Sequence, residues 1–568
     1  MKKVLEIMSI LLILGGIISF AAGGWALSES ATWGAITPTN PSIKYGGTFR
    51  PVLTWGPMTN SINPLSPASQ LPCIGDIYEP LFYDNPLTGQ ITPLLGTNYK
   101  WEDNNLKLIV KTRSEVQWSD GVPFTAKDVA FTFNYIKEYP GLDVNGIWSS
   151  VSSLQTVEAS GNNIVIFTFS KPNVTLFYYI AQQLIVPEHI WSKINNPMTF
   201  TNTANPVGTG PFLFKNFDVA NNVAVVVKNP NYWLKGRPYI DSVEYYSLTG
   251  SMPLLYLLKG KADSSNMGSG MNPYTEWQDK NPSTNKFWWP IMYPTNLYLN
   301  TMKYPFNISA FRKAIEIALD KNSMDQKAYF GLAGAANPTG IIPNQMSEWF
   351  DPSLTAAASE LNSYNPQKAL QLLASIGFKK NSAGQLCDPN GKPLPSYNLL
   401  IGAGWGDYIS MAQVIAQNLK AIGIDVNIDA ETYGSYESSF ESGTYDMGLR
   451  WGSGYGPTPY YFYNGELNPS FSATKIGETA IGDFARYTNP AITAALKTYM
   501  ESSDINIQKQ AIYTIEKYMI NEVPFIPVTG EMFFNEYWEG NLIGFPSASD
   551  PYMPAAYGEP LTLNIHLK

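Results

Sequence analysis

Residues 106–112, LKLIVKT, set apolar Leu106, Leu108 and Val110 against Lys107 and Lys111, the period-two pattern of a strand packed on one face. Asp120-Gly121 then turns the chain, because glycine reaches positive φ without a Cβ clash. Thr125 suits an N-cap and Asp128, three residues on, completes a capping box. The helix that follows puts Val129, Phe133 and Ile136 on its inner face. Residues 164–169 alternate again, with a hairpin turn at Gly161-Asn162-Asn163, and residues 223–227 read as a further strand. A strand over 293–300 carries Pro294.

The period then changes. Phe311, Ala314, Ile315, Ala318 and Leu319 mark one apolar helix face, and Asn365 caps a helix with Pro366 at its first position and Gly377 as its stop. A helix over 408–422 closes at Gly423 and leads into an alternating strand through Ile424, Val426 and Ile428. Helices near 490–500 and 507–520 precede Pro524. Helices alternating with strands imply an α/β unit whose sheet is covered by helices.

At 568 residues the chain exceeds the roughly 250 to 300 at which a single core stops growing, so at least two lobes are expected. A charged fraction of 15% against 44% hydrophobic indicates a soluble globular class, and a net charge of −9 with no basic run excludes a nucleic-acid partner. Two Cys and two His supply too few soft ligands for a zinc-type site; no metal and no cofactor is expected. Lys2 and Lys3 before the apolar stretch 7–20, with small residues at 21–26, form a secretory signal or, read through 4–27, an uncleaved anchor. Residues 28–43 read as a surface linker. Either way the folded part lies outside the cytoplasm.

The order of residue types carries a resemblance. Gln117-Trp118-Ser119-Asp120-Gly121, Pro123-Phe124-Thr125-Ala126 and Asp128-Val129 follow one another, and further motifs stand along the chain: Tyr78-Glu79-Pro80-Leu81, Pro93-Leu94-Leu95, Pro187-Glu188-His189-Ile190, Gly208-Thr209-Gly210-Pro211-Phe212, Asn229-Pro230-Asn231-Tyr232-Trp233, Phe311-Arg312-Lys313-Ala314 and Pro524-Phe525-Ile526-Pro527. From about residue 44 onward the chain resembles the large extracytoplasmic solute-binding proteins of ABC importers, family 5, which carry peptides, nickel or oligosaccharides. The resemblance implies a two-lobed periplasmic-binding-protein-like fold of type II, cluster C, with an extra mainly β subdomain in the first lobe. It places the first-lobe core at 44–85, 201–294 and 521–568, the subdomain at 86–200, and the second lobe at 295–520. It also implies a monomer, an ABC permease as partner, and membrane association only through the N-terminus or that permease. Cys73 and Cys387 then fall in separate lobes, and both are read as free or buried.

The chemistry is that of binding. The chain lacks a Gly-x-Ser-x-Gly elbow and a His-Glu-x-x-His pair, and Gly208-Thr209-Gly210-Pro211 lacks the lysine of a phosphate loop. His189 beside Ile190 reads as a packing residue. No enzyme activity is expected, a secreted glycoside hydrolase using two of the 46 acids being the distant alternative. Aromatics reach 14% of the chain, and a Trp face suits the C–H face of a sugar. Trp405 and Asp407 follow the apolar strand 398–401, so they stand at a strand's carboxyl end, where open α/β sheets bind ligands. Trp451 and Tyr455 lie in the glycine-rich stretch 449–460. The loop 54–67, with Trp55 and Asn63, corresponds to one that opens toward the cleft in the family. In peptide-binding relatives the stretch around Trp451 carries an aspartate that pairs with the peptide's amino terminus; Gly454 stands there instead. The small-molecule ligand is therefore read as a short oligosaccharide, as in the cello- and manno-oligosaccharide branch, with a peptide as the alternative and a nickel chelate third.

Overall fold

The alternating segment met first is the strand Lys107–Thr112, with Leu108, Val110 and Thr112 buried. It pairs with Gly96–Glu102 on one side and Ile164–Phe169 on the other, and Leu154–Ser160 completes a four-stranded antiparallel sheet. Helix Ala126–Glu138 packs on this sheet through Val129, Phe133 and Ile136. Its capping box is formed as read: the Thr125 hydroxyl accepts from the Lys127 amide at 3.2 Å and Asp128 Oδ2 accepts from the Thr125 amide at 2.8 Å. The other Asp128 oxygen accepts from the Glu188 amide at 3.1 Å, so one carboxylate ties helix to loop. His189 is paired with Asp120 at 2.8 Å. The computed structural model in which these contacts are seen describes residues 43–568 except 55, 150–151, 267–270 and 556–557. The N-terminal apolar run and Trp55 lie outside the described residues.

This unit shares one hydrophobic core with the first lobe. The lobe is built on a mixed sheet in the order Asn285–Phe287, Glu536–Trp538, Ser264–Ser265, Pro51–Leu53, Ser242–Ser247, Val223–Lys228, Phe212–Asp218, with Thr48–Phe49 joined to Ser242–Ser247. Two family motifs are explained by packing here. Buried Glu79 accepts from the Tyr232 hydroxyl at 2.7 Å and the Trp233 indole at 2.9 Å, joining segments 153 positions apart or more. A Cβ at Gly208 or Gly210 would fall 1.8 Å or 2.3 Å from the carbonyl oxygens of Ile77 and Asp76, so only glycine lets the two backbones touch.

The second lobe has three layers. Its five-stranded sheet runs Val426–Glu431, Tyr397–Gly402, Met447–Trp451, Ile291–Leu299, Ile526–Met532, with only Ile291–Leu299 opposed in direction to its neighbours. Leu297, Leu299, Leu399 and Ile401 point to one core, under helices Ser309–Ile317, Pro366–Ser375 and Gly406–Ala421; Tyr298 and Leu400 point to the other, under Tyr433–Ser442, Pro490–Glu501 and Ile505–Glu522. A strand covered on both faces reads as a continuous apolar run, as Leu399 to Ile401 does. Arg312 donates to the carbonyls of Phe306, Glu522 and Val523, so its motif holds the end of the Ile505–Glu522 helix.

The chain crosses between lobes at 288–291 and again at 532–536. The return crossing lies later than the boundary at 520 read from the sequence, because Ile526–Met532 pairs with Ile291–Leu299 and belongs to the second lobe. The two lobes touch. The Tyr461 hydroxyl donates to the Thr175 carbonyl at 3.1 Å, and Asn105 donates to Glu501 O at 3.2 Å. Cys73 and Cys387 are free, buried thiols in separate lobes, and burial pushes the Cys73 thiol up.

Candidate functional site

The parallel strands of the second lobe all end at one edge of the sheet. Trp405 stands three residues after Tyr397–Gly402 as the N-cap residue of the Gly406–Ala421 helix, and Trp451 ends Met447–Trp451. Their ring centroids are 5.6 Å apart, and Tyr436 lies 5.0 Å from Trp405 and 6.1 Å from Trp451. Both indoles are half-buried, so each keeps surface for a ligand. Behind Trp451 the Arg450 guanidinium lies 4.4 Å from the ring centroid and is held by Glu437 at 2.5 Å, a cation–π contact that fixes the ring's tilt.

Beside these rings is a carboxyl pair. Glu531, next to last in Ile526–Met532, accepts from the Thr295 hydroxyl at 2.5 Å, from Tyr408 at 3.1 Å and from Tyr329 at 3.5 Å. Asp407, on the first turn of its helix, accepts from its neighbour's amide at 3.0 Å and from Tyr329 at 3.4 Å. Burial, and then the negative charge of Asp407, push the Glu531 carboxyl up to about 7. Burial and then Glu531 hold the Tyr329 and Tyr408 hydroxyls well above their usual range.

Tyr455 marks the line between the lobes. Its ring, 42% exposed, lies 6.0 Å from Tyr293 and 6.3 Å from Phe533. Burial raises the hydroxyls of Tyr83, Tyr178 and Tyr179, and Tyr455 adds to each, which sets it against first-lobe residues. Gly454 beside it has φ +82°, and a Cβ there would sit 2.6 Å from the Tyr461 carbonyl oxygen. Any side chain at 454, the expected aspartate included, would displace this loop.

The structure thus brings Trp405, Asp407 and Trp451 to one sheet edge, with Tyr455 at the lobe boundary, while Asn63 leaves the candidate set. Asn63 is fully buried, and its amide donates to the carbonyls of Pro197 at 3.0 Å and Phe200 at 2.9 Å while its oxygen accepts from Leu65 at 3.0 Å, so it ties its loop to the subdomain. Asp407 is itself held in place by the Tyr329 hydroxyl and the Tyr408 amide. Glu531, Phe533 and Tyr293 were missed because residues 521–568, and 201–294 up to Tyr293, were assigned to the other lobe. Glu531 is the single charge in the apolar run 523–534, and that isolation was the available signal.

A two-lobed α/β molecule with half-buried aromatic rings and carboxyls at a sheet edge, and a tyrosine at the lobe boundary, has the architecture of a receptor that encloses a solute. The family described as bacterial extracellular solute-binding proteins, family 5 Middle, matches residues 90–472, and the chain belongs to it. It is the substrate-binding receptor of an ABC importer and acts outside the cytoplasm. Similar proteins include the nickel-binding periplasmic protein of Escherichia coli strain K12, 24% identical over 87% of this chain and 91% of that one. The oligopeptide-binding protein AppA of Bacillus subtilis strain 168 is 27% identical over 75% of this chain and 76% of its own. The periplasmic oligopeptide-binding protein of the Thermotoga maritima oligopeptide ABC transporter has a similar structure, with TM-score 0.82 at 26% identity over 92% of this chain and 99% of that one. Its mannohexaose-bound form gives a TM-score of 0.75 at 26% identity, over 92% and 98% of the two chains. Among the described residues no helix is long and apolar enough to cross a membrane, and no group of three or more His, Cys, Asp or Glu could hold a metal ion.

Proposed function

We propose that this receptor carries short peptides, with the ligand's amino terminus on the Glu531–Asp407 pair and its chain along Trp405, Trp451 and Tyr455. The observation that carries the reading is the carboxyl pair at the edge of the aromatic floor, Asp407 buried and Glu531 half-buried. A buried ammonium left unpaired would cost several kcal/mol, and Gly454 offers no carboxylate. Glu531 supplies one from another strand. Burial and Asp407 raise its carboxyl to about 7, so the protonated fraction present near neutral pH would lose its proton when a cation arrives, and binding and proton release are coupled. Names of relatives such as the Bacillus oligopeptide-binding protein support the same ligand class.

Calorimetry with tetra-alanine and its N-acetyl form tests this. Tetra-alanine is expected to bind, more tightly at pH 8 than at pH 5.5 and with proton release that depends on the buffer; acetylation should weaken it at least a hundredfold. The second reading is a neutral oligosaccharide, favoured by the paired indoles and by the mannohexaose-bound Thermotoga protein. Mannohexaose binding that ignores pH, with no peptide signal, would establish that reading instead. In either case no covalent step is involved, and ligand contacts made only in the closed state would drive closure for the permease.

A further inference from the structure

A cavity of 540 Å³ lies where the chain passes between the lobes, within the roughly 300–1,000 Å³ range of small-molecule sites. Its walls come from both lobes and from the crossing segment: Trp288 and Ile291 on the crossing, Trp349 and Pro457 from the second lobe, Leu87 and Thr88 from a first-lobe hairpin. Trp349, Leu87 and Trp289 are buried and Trp288 and Ile291 half-buried, while Thr88, Asn344, Ser347 and Glu348 are exposed, so aromatic and aliphatic walls stand behind a polar rim.

One strand, Ile291–Leu299, runs from the wall of the cavity to the candidate site. Ile291 lines the cavity; Tyr293 packs on Tyr455 and Phe533; Thr295 bonds to Glu531. Four residues of strand, shortened by the irregularity between Ile291 and Tyr293, cover roughly 10 to 13 Å. An extended peptide rises by about the same 3.3 Å per residue, so a chain whose amino terminus sits on Glu531 brings its fourth residue to the cavity.

We propose that this cavity is the pocket for the fourth side chain of a bound peptide, and that it selects a large apolar or aromatic group there. The inference rests on the peptide reading above and adds length and side-chain selectivity to it. Burial of a phenyl ring between Trp288, Trp349 and Pro457 would also bridge the lobes, so the same contact would favour closure.

The test is a calorimetric position scan with four probes: Ala-Ala-Ala-Ala, Phe-Ala-Ala-Ala, Ala-Phe-Ala-Ala and Ala-Ala-Ala-Phe. The last is expected to bind at least tenfold more tightly than the other three. Ser347→Trp and Asn344→Trp, made separately at exposed helix positions so that folding is spared, should fill the mouth. Each should cut the advantage of Ala-Ala-Ala-Phe below twofold while tetra-alanine binds as before. A scan with no preference at the fourth position, or an advantage that survives both substitutions, overturns the pocket and leaves the peptide reading standing. Failure of all four probes to bind overturns the peptide reading and the pocket with it.

Discussion

Glu531 concentrates the electrostatic argument in one side chain. Its carboxyl is raised from the ordinary range to about 7, so the folded protein prefers the protonated form more than the unfolded chain does. The stability this confers is fully present below the unfolded value near 4.5 and is lost as pH rises through about 7. Glu531→Gln keeps the shape and removes the titration. Its melting temperature relative to wild type should therefore rise between pH 5 and pH 8 in the unliganded protein, by the equivalent of up to roughly 3 kcal/mol. An equal offset at both pH values would show that the carboxyl is not held neutral. Trp451→Ala should weaken ligand binding by about 1 to 3 kcal/mol, and it should also lower stability, because Tyr436, Trp405 and Arg450 pack on the ring. At this scale the position of a residue was legible where it follows its own strand, as Trp405 and Asp407 do. It was misread where a side chain reaches across the molecule: nothing near Asn63 in the chain announces Pro197 and Phe200, and nothing near Thr295 announces Glu531.

Elements whose signals are local were legible almost to the residue. The capped helix Ala126–Glu138, the hairpin at 161–163 and the Asn365-Pro366 helix start each depend on neighbours within four positions. That dependence can be measured. Thr125→Ala should cost about 1 kcal/mol, the usual worth of an N-cap, and Asp128→Ala should cost more, since Asp128 also holds the Glu188 amide of another segment. Chemical denaturation of both variants checks the order; equal losses would mean that the Glu188 contact contributes nothing. The strand Ile526–Met532 was placed in the wrong lobe for the opposite reason. Its apolar run fits either sheet, and the choice is made by pairing with Ile291–Leu299, more than 200 residues earlier.

At the scale of the whole molecule, the lobes meet through Tyr461 and Thr175 and through Asn105 with Glu501 and Ser503, all outside the carboxyl and aromatic cluster. Removing those bonds with Tyr461→Phe and Asn105→Ala should shift the unliganded protein toward the open form and weaken apparent affinity up to about tenfold, with melting little changed. Small-angle scattering should register the larger unliganded radius, and an unchanged radius with unchanged affinity would refute the role of these contacts in closure. One further feature reaches beyond closure. The second lobe is a single unbroken stretch whose entry and exit strands are partners, Ile291 opposite Met532, and it holds its own sheet and nearly all of two cores, to which Tyr178, Met271 and Trp289 are added from outside. It is in effect a cassette inserted into the first lobe through two adjoining ends, about 5 Å apart. Residues 291–533 expressed alone should melt cooperatively, and a first lobe resealed across that gap by a short turn should fold without them. Half of the recognition surface could then be exchanged between receptors of this architecture by a single graft.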